Sequence, residues 1–189
     1  MIRFEDGMTL FHGSFCEVRE PDLSKCAKFK DFGQGLYLTS SREQAERFVP
    51  ISLKKAINQR IIAPTQKYGY ITEFRLHNSE HLNYKEYSDA DIDWLHCVVG
   101  HRKSGTFDEL VSELYFYDVI SGKIANDQTN ATIVLYLSEA FGEVGSEFAD
   151  NTCISMLIPE RLKNQYCFRT NKSFESLDFI RSEKVWIRT

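Results

Sequence analysis

The chain has 189 residues, 42% of them hydrophobic and 26% charged, with a net charge of −4. That length can bury a sizeable core, and the mild negative charge without a long basic tract excludes a nonspecific grip on phosphate backbones. Five cysteines, an odd count with no C-x-x-C, and no H-E-x-x-H argue against a zinc site and for a reduced compartment.

In chain order, Met8 to His12 alternates and ends in Gly13-Ser14, which predicts a first strand running into a turn. Glu17 to Phe32 is polar and irregular, and Gly35 to Thr39 is a short apolar, β-branched strand candidate. Ser40 and Glu43 stand in a capping-box arrangement and predict a helix start. Ala45, Phe48 and Val49 are expected on its inner face, and Pro50 is expected to end or kink it. Residues 51–58 resume a helix, and Asn58 to Tyr68 reads as a loop.

Tyr70, Thr72, Phe74 and Leu76 alternate as in a strand. Ser88 to Asp91 offers a cap for a helix carrying Ile92, Leu95, Val98 and Val99. Tyr115 to Ser121 has strand composition and stops at Gly122. Ile133, Val134, Leu137, Ala140 and Phe141 predict a helix stopped by Gly142, and another helix precedes Pro159. Gln165 to Thr170 reads as a strand, Asn171 as the cap of a short helical turn, and Phe179 to Ile187 as the last strand. No repeat or linker divides residues 1–189, so a single domain is expected. Strands and helices mix without βαβ alternation, which predicts an α+β fold.

The N-terminus lacks an apolar leader and no run is long enough to span a bilayer, so a soluble, cytoplasmic protein is expected. Gly33-Gln34-Gly35 does not extend into a dinucleotide fingerprint, because the third glycine would fall at Leu38. Asp31-Phe32-Gly33 spells a kinase triplet without the glycine-rich and catalytic loops that must precede it. Cys97, near His96 and His101, reads as a helix-face cysteine rather than a nucleophile.

Three separated pieces form a pattern. They are Phe11-His12-Gly13-Ser14, the run Gly33-Gln34-Gly35-Leu36-Tyr37-Leu38-Thr39 followed by Ala45 and Phe48, and Asn164-Gln165-Tyr166-Cys167-Phe168. Together they resemble the H-Y-E branch of the ADP-ribosyltransferase superfamily, which includes the poly(ADP-ribose) polymerases and diphtheria-toxin-like enzymes. The whole chain looks closer still to an uncharacterised bacterial domain family of the same clan, through Pro21-Asp22-Leu23, Lys30 to Thr39, Asp93-Trp94-Leu95, Tyr117-Asp118-Val119, Gly122 to Asp127 and Gln165 to Thr170.

The resemblance implies a split β-sheet core with peripheral helices, and NAD as co-substrate without a metal. His12, Tyr37 and Gln165 would be the catalytic residues, and His12, Gly13, Ser14, Tyr37, Phe48 and Asn126 would contact NAD. His12 would bond the adenosine ribose, Gly13 and Ser14 the carboxamide, and Tyr37 and Phe48 would sandwich the nicotinamide ring. The branch's glutamate is replaced by Gln165, which keeps an acceptor oxygen but adds no charge and is no base.

That departure argues against chain elongation and for transfer of one ADP-ribose. A non-catalytic NAD- or ADP-ribose-binding module and an NAD glycohydrolase are the alternatives. Asp118 and Asp127 are candidates to replace the missing carboxylate, each with a cap or turn role as its plainer reading. Arg102 is a weaker candidate for contact with phosphates or acceptor, with solvated surface as the plainer reading. The implied partners are a protein or nucleic-acid acceptor and, for a toxin, an antitoxin or immunity protein, with no membrane.

Overall fold

A computed structural model describes residues 4–124, 127–157 and 164–187. Among these the fold is mixed α+β, with two sheets and six helices. The chain divides into two compact units, one of Met1–Asp22, Tyr37–Leu82 and Asn171–Thr189, the other of Leu23–Leu36 and Asn83–Thr170.

The first unit is built on the strands β1 (Thr9–Ser14), β3 (Tyr68–Leu76) and β7 (Leu177–Trp186), in the order β1-β3-β7 and antiparallel throughout. Helix α1 (Arg42–Asn58) covers one face. Its buried residues, Ala45, Val49, Leu53 and Ala56, recur at helical spacing, and the first three join Ile71 of β3 in one apolar cluster. Each such Val or Leu contributes about 1.5–3 kcal/mol by leaving water. A short helix, α6 (Asn171–Glu175), leads into β7.

Three details of α1 bear on the expectations, and the first and last correct them. The N-cap is Ser41, whose hydroxyl accepts from the Gln44 amide at 3.3 Å, and not Ser40. Pro50 lies inside the helix without ending it, because it is on the exposed side, where the carbonyl it leaves without a helical donor can be hydrated. Phe48, expected inward, is 44% exposed, since the buried stripe passes through Ala45 and Val49.

The second unit carries the strands of a sheet of order β2-β6-β5-β4, with Leu36 of β2 (Leu36–Leu38) belonging to this unit. Strands β5 (Val119–Lys123) and β6 (Asn164–Phe168) are antiparallel, and β4 (Tyr84–Glu86) runs parallel to β5. Helices α2 (Ile92–Arg102), α3 (Asp108–Leu114), α4 (Asp127–Leu137) and α5 (Glu147–Leu157) complete it. Asp91 caps α2 by accepting from the Trp94 amide, and the buried Trp94 indole donates to the Lys123 carbonyl at 3.0 Å. The Trp94 ring is thereby buried without an unsatisfied N–H.

Several element boundaries differ from those expected, and Gly13 and Ser14 belong to β1 rather than to a turn. Tyr115 to Tyr117 is not strand, because its amides bond back to Ser112, Glu113 and Leu114 at the end of α3 and leave Tyr115 and Phe116 exposed. Helix α4 stops at Leu137, short of Ala140, where Glu139 adopts a left-handed conformation. Strand β4 and helix α3 had no clear periodic signal, being short and polar.

The cap assignment is testable by denaturant unfolding. Ser41→Ala should cost about 1 kcal/mol, whereas Ser40→Ala should stay within about 0.5 kcal/mol of the parent.

Candidate functional site

In the first unit the antiparallel register sets which side chains share a sheet face. His12 lies opposite Thr72 and Thr72 opposite Ser182, with a 3.3 Å contact between the two hydroxyls. Ser14 lies opposite Tyr70, and Tyr70 opposite Lys184. Directly paired residues project to the same side, so His12 and Ser14 share a face with Thr72, Tyr70, Ser182 and Lys184. Gly13 projects to the other side, toward α1.

The contact there is close. A Cβ on Gly13 would fall 1.9 Å from the Ala45 carbonyl oxygen and 2.8 Å from its carbon, both backbone atoms that cannot move aside. Packing of α1 on β1 therefore requires glycine at this position, whatever the motif's chemistry. Gly35 has a similar reason inside the second unit, where a Cβ would meet the Phe168 carbonyl oxygen at 2.4 Å.

Around His12 the backbone is tightly tied. The Phe11 amide donates to the Thr39 carbonyl at 2.7 Å, and the Thr39 amide returns to Phe11 at 3.0 Å. His12 Nδ1 donates to the Tyr37 carbonyl at 2.9 Å. A carbonyl only accepts, so the proton is on Nδ1 and Nε2 presents a lone pair. Burial lowers the His12 pKa below its ordinary value, and the Tyr37 carbonyl opposes that shift. The imidazole is thus neutral at pH 7, with one nitrogen able to accept from a ligand hydroxyl.

Tyr37 itself is half-buried, Ser14 is buried with its hydroxyl 3.8 Å from Cys16 Sγ, and the exposed Phe48 ring carries Lys55 Nζ 5.8 Å from its centroid. The bond from His12 Nδ1 to the Tyr37 carbonyl joins two of the expected site residues directly.

Gln165 belongs to the second unit, on β6, and is buried. Its Nε2 donates to Asp31 Oδ2 at 2.7 Å. The other carboxylate oxygen, Asp31 Oδ1, accepts from Arg102 Nε at 3.1 Å and Nη2 at 2.6 Å, while Arg102 Nη1 donates to Asn130 Oδ1 at 2.8 Å. Arg102 is therefore not plain solvated surface, because its guanidinium is engaged with Asp31 and Asn130.

Asp118 is buried, and its carboxylate accepts from the Asn83 amide at 3.0 Å and the Thr170 hydroxyl at 2.8 Å. That is a loop-fastening role, the plainer of its two readings. Asn126 lies outside the described residues, and Asp127 begins α4.

Asp31 is the residue that sequence reasoning missed. Its triplet with Phe32 and Gly33 has a structural explanation. Phe32 is fully buried and stacked near Tyr87, with centroids 6.2 Å apart, and Gly33 has a φ of +81°, where a Cβ would meet His101 at 2.6 Å. No sequence signal marked Asp31, since neither its burial nor its partners can be read from residue types. His101 in turn donates from Nδ1 to the Cys97 carbonyl at 2.8 Å, and burial lowers its pKa. Burial likewise pushes the Cys97 thiol up to about 12, which removes it as a thiolate nucleophile near neutrality. A separate buried network joins His96 to Asp150 at 2.8 Å and Tyr136 to the same carboxylate. No group of three or more His, Cys, Asp or Glu able to hold a metal occurs among the described residues, nor any helix long and apolar enough to cross a membrane.

The fold and these clusters define an α+β protein of two compact units, one carrying a neutral strand histidine tied to a tyrosine, the other a buried carboxylate bridging arginine and glutamine. Residues 8–179 match the model of the family described as protein of unknown function (DUF3990), and the chain belongs to that family. No curated protein matches the chain.

Two outcomes follow. Gly13→Ala should destabilise by about 3 kcal/mol, seen as a fall of several degrees in the melting temperature. His12 and His101 both resist protonation in the folded state, so the unfolded chain binds more protons below about pH 6.5. Stability should be flat above pH 7 and fall as pH drops through about 6, and His12→Gln should flatten part of that slope in denaturant titrations between pH 5 and 8.

Proposed function

We propose that this chain binds NAD, cleaves its nicotinamide–ribose bond and transfers a single ADP-ribose to a macromolecular acceptor, protein or nucleic acid, on an ADP-ribosyltransferase-like core. The observation that carries this is the His12 Nδ1 bond to the Tyr37 carbonyl. It leaves Nε2 as an acceptor for a ribose hydroxyl and ties the histidine to the tyrosine that would stack on nicotinamide. Ser14 on the same sheet face as His12, and the exposed ring of Phe48, are compatible with the contacts assigned to them. By the resemblance, Gln165 holds the place of the glutamate assigned to the nicotinamide ribose. A toxin or effector held in check by an antitoxin or immunity partner is the biological setting that goes with this chemistry.

A second reading, a module that holds NAD or ADP-ribose without turning it over, is favoured by one observation. Gln165 carries no charge, and its amide N–H is already directed at Asp31. Hydrolysis of NAD, with water as acceptor, would use the same residues.

Incubation with labelled NAD and a cell lysate separates these. Transfer predicts labelled macromolecules, and His12→Ala should weaken NAD binding by about tenfold, the value of one hydrogen bond. Label that persists undiminished in both His12→Ala and Tyr37→Ala would show the assigned residues to be wrong. NAD binding by calorimetry without nicotinamide release would support the module.

A further inference from the structure

We infer that Asp31 is the positioning residue for the reaction, fixing from one hydrogen bond behind Gln165 which way the amide at position 165 presents its carbonyl oxygen. This rests on the assignment of Gln165 to the nicotinamide ribose made above, and the observations behind it all lie within the second unit.

A primary amide can present either its oxygen or its NH₂ to a neighbour, and the two choices have opposite polarity. Asp31 removes the choice. Its Oδ2 stands 2.7 Å from Gln165 Nε2, and a carboxylate oxygen tolerates only a donor at that distance. The Gln165 NH₂ must therefore face Asp31, and its carbonyl oxygen must point the other way. The Asp31 carboxylate is itself immobilised, since two guanidinium nitrogens of Arg102 hold Oδ1, and Arg102 is anchored in turn on Asn130. Asp31 and Gln165 are both buried, so water weakens their bond little, while the Arg102 guanidinium offsets the net charge and leaves orientation of the amide as the main effect of the carboxylate.

A hydrogen bond to a carboxylate polarises an amide, drawing its N–H toward the anion and raising electron density on the oxygen. In the proposed reaction the glycosidic C–N bond breaks, and its electron pair leaves with nicotinamide, which departs neutral. The ribosyl carbon becomes positive until the acceptor nucleophile adds, and the nucleophile's proton passes to solvent. An oriented, polarised carbonyl oxygen at Gln165 would stabilise that positive charge or hold the adjacent hydroxyl through it.

The same geometry explains why position 165 holds glutamine. A glutamate would set two carboxylates within hydrogen-bonding distance of each other, an arrangement that like charges disfavour unless one takes a proton. The pair is matched, with the carboxylate at 31 and the amide at 165. Exchanging them by the double substitution Asp31→Asn with Gln165→Glu retains the hydrogen bond and places the charge directly at 165.

The test is steady-state NAD turnover, read as nicotinamide release, for the full chain and four variants. His12→Ala serves as the control for the NAD site. Asp31→Asn should lower kcat by about 10- to 100-fold, the range for groups that orient a reacting residue, with KM changed less than about threefold because ground-state binding is retained. Gln165→Glu alone should be slower than the parent. The double variant Asp31→Asn/Gln165→Glu should recover parental turnover or exceed it, which a merely structural Asp31 would not do. A parental kcat in Asp31→Asn, a loss expressed mainly in KM, or a double variant no faster than Asp31→Asn would each overturn the role of Asp31, provided that the parent is active and His12→Ala is not. If the parent neither binds NAD nor releases nicotinamide, the NAD function itself is wrong and the role of Asp31 falls with it.

Discussion

The close seating of α1 on β1 at Gly13 is the constraint on which the first unit depends. A helix backbone can approach a strand this nearly only where the strand has no side chain, and the Ala45 carbonyl occupies the space a Cβ would need. That approach draws Ala45, Val49 and Leu53 onto Ile71 and makes the apolar cluster of the unit. It also decides the polarity of β1. Because successive strand residues alternate sides, turning Gly13 toward the helix turns His12 and Ser14 to the opposite face. The packing glycine and the chemically interesting histidine are thus two consequences of one pleat.

Beyond that face, the backbone rather than side-chain packing places His12. The paired bonds between Phe11 and Thr39 bring the residue after β2 alongside β1, and the imidazole closes on the Tyr37 carbonyl between them. Burial then keeps the ring neutral, and the carbonyl selects its tautomer. The residue is specified in position, charge and hydrogen-bonding polarity before any ligand arrives. Pre-organisation of this kind lowers the entropy cost of any interaction the ring makes.

In the second unit the comparable centre is Asp31. A buried carboxylate is costly unless it is paired and hydrogen-bonded, and this one has a guanidinium on one oxygen and an amide on the other. The flanking Phe32 and Gly33 hold the turn, one by filling the core and the other by a positive φ against His101. Each residue of the triplet therefore has its own reason, none related to the kinase motif that it spells. Asp118, by contrast, fastens the Asn83 and Thr170 segments.

Periodicity and capping chemistry in the chain were enough to determine an α+β protein, the strands around His12, Tyr70 and Gln165, and the helices over Ile92, Ile133 and the region before Pro159, because these signals are local. It was the resemblance carried by three separated motifs that singled out His12, Tyr37 and Gln165 as residues of interest. Local signals could not distinguish Ser40 from Ser41 as cap, since both hydroxyls precede the same turn. Nor could they show that Phe48 is outside the buried stripe or that Pro50 is tolerated, because both depend on which side of α1 meets the sheet. The partnership of Asp31, Arg102 and Gln165 was the least legible feature. Its members are far apart in sequence, and no pattern of residue types predicts which buried charge will meet which donor. Only the tertiary structure decided that, because the cost of burying a carboxylate is met by partners that folding alone brings within hydrogen-bonding distance.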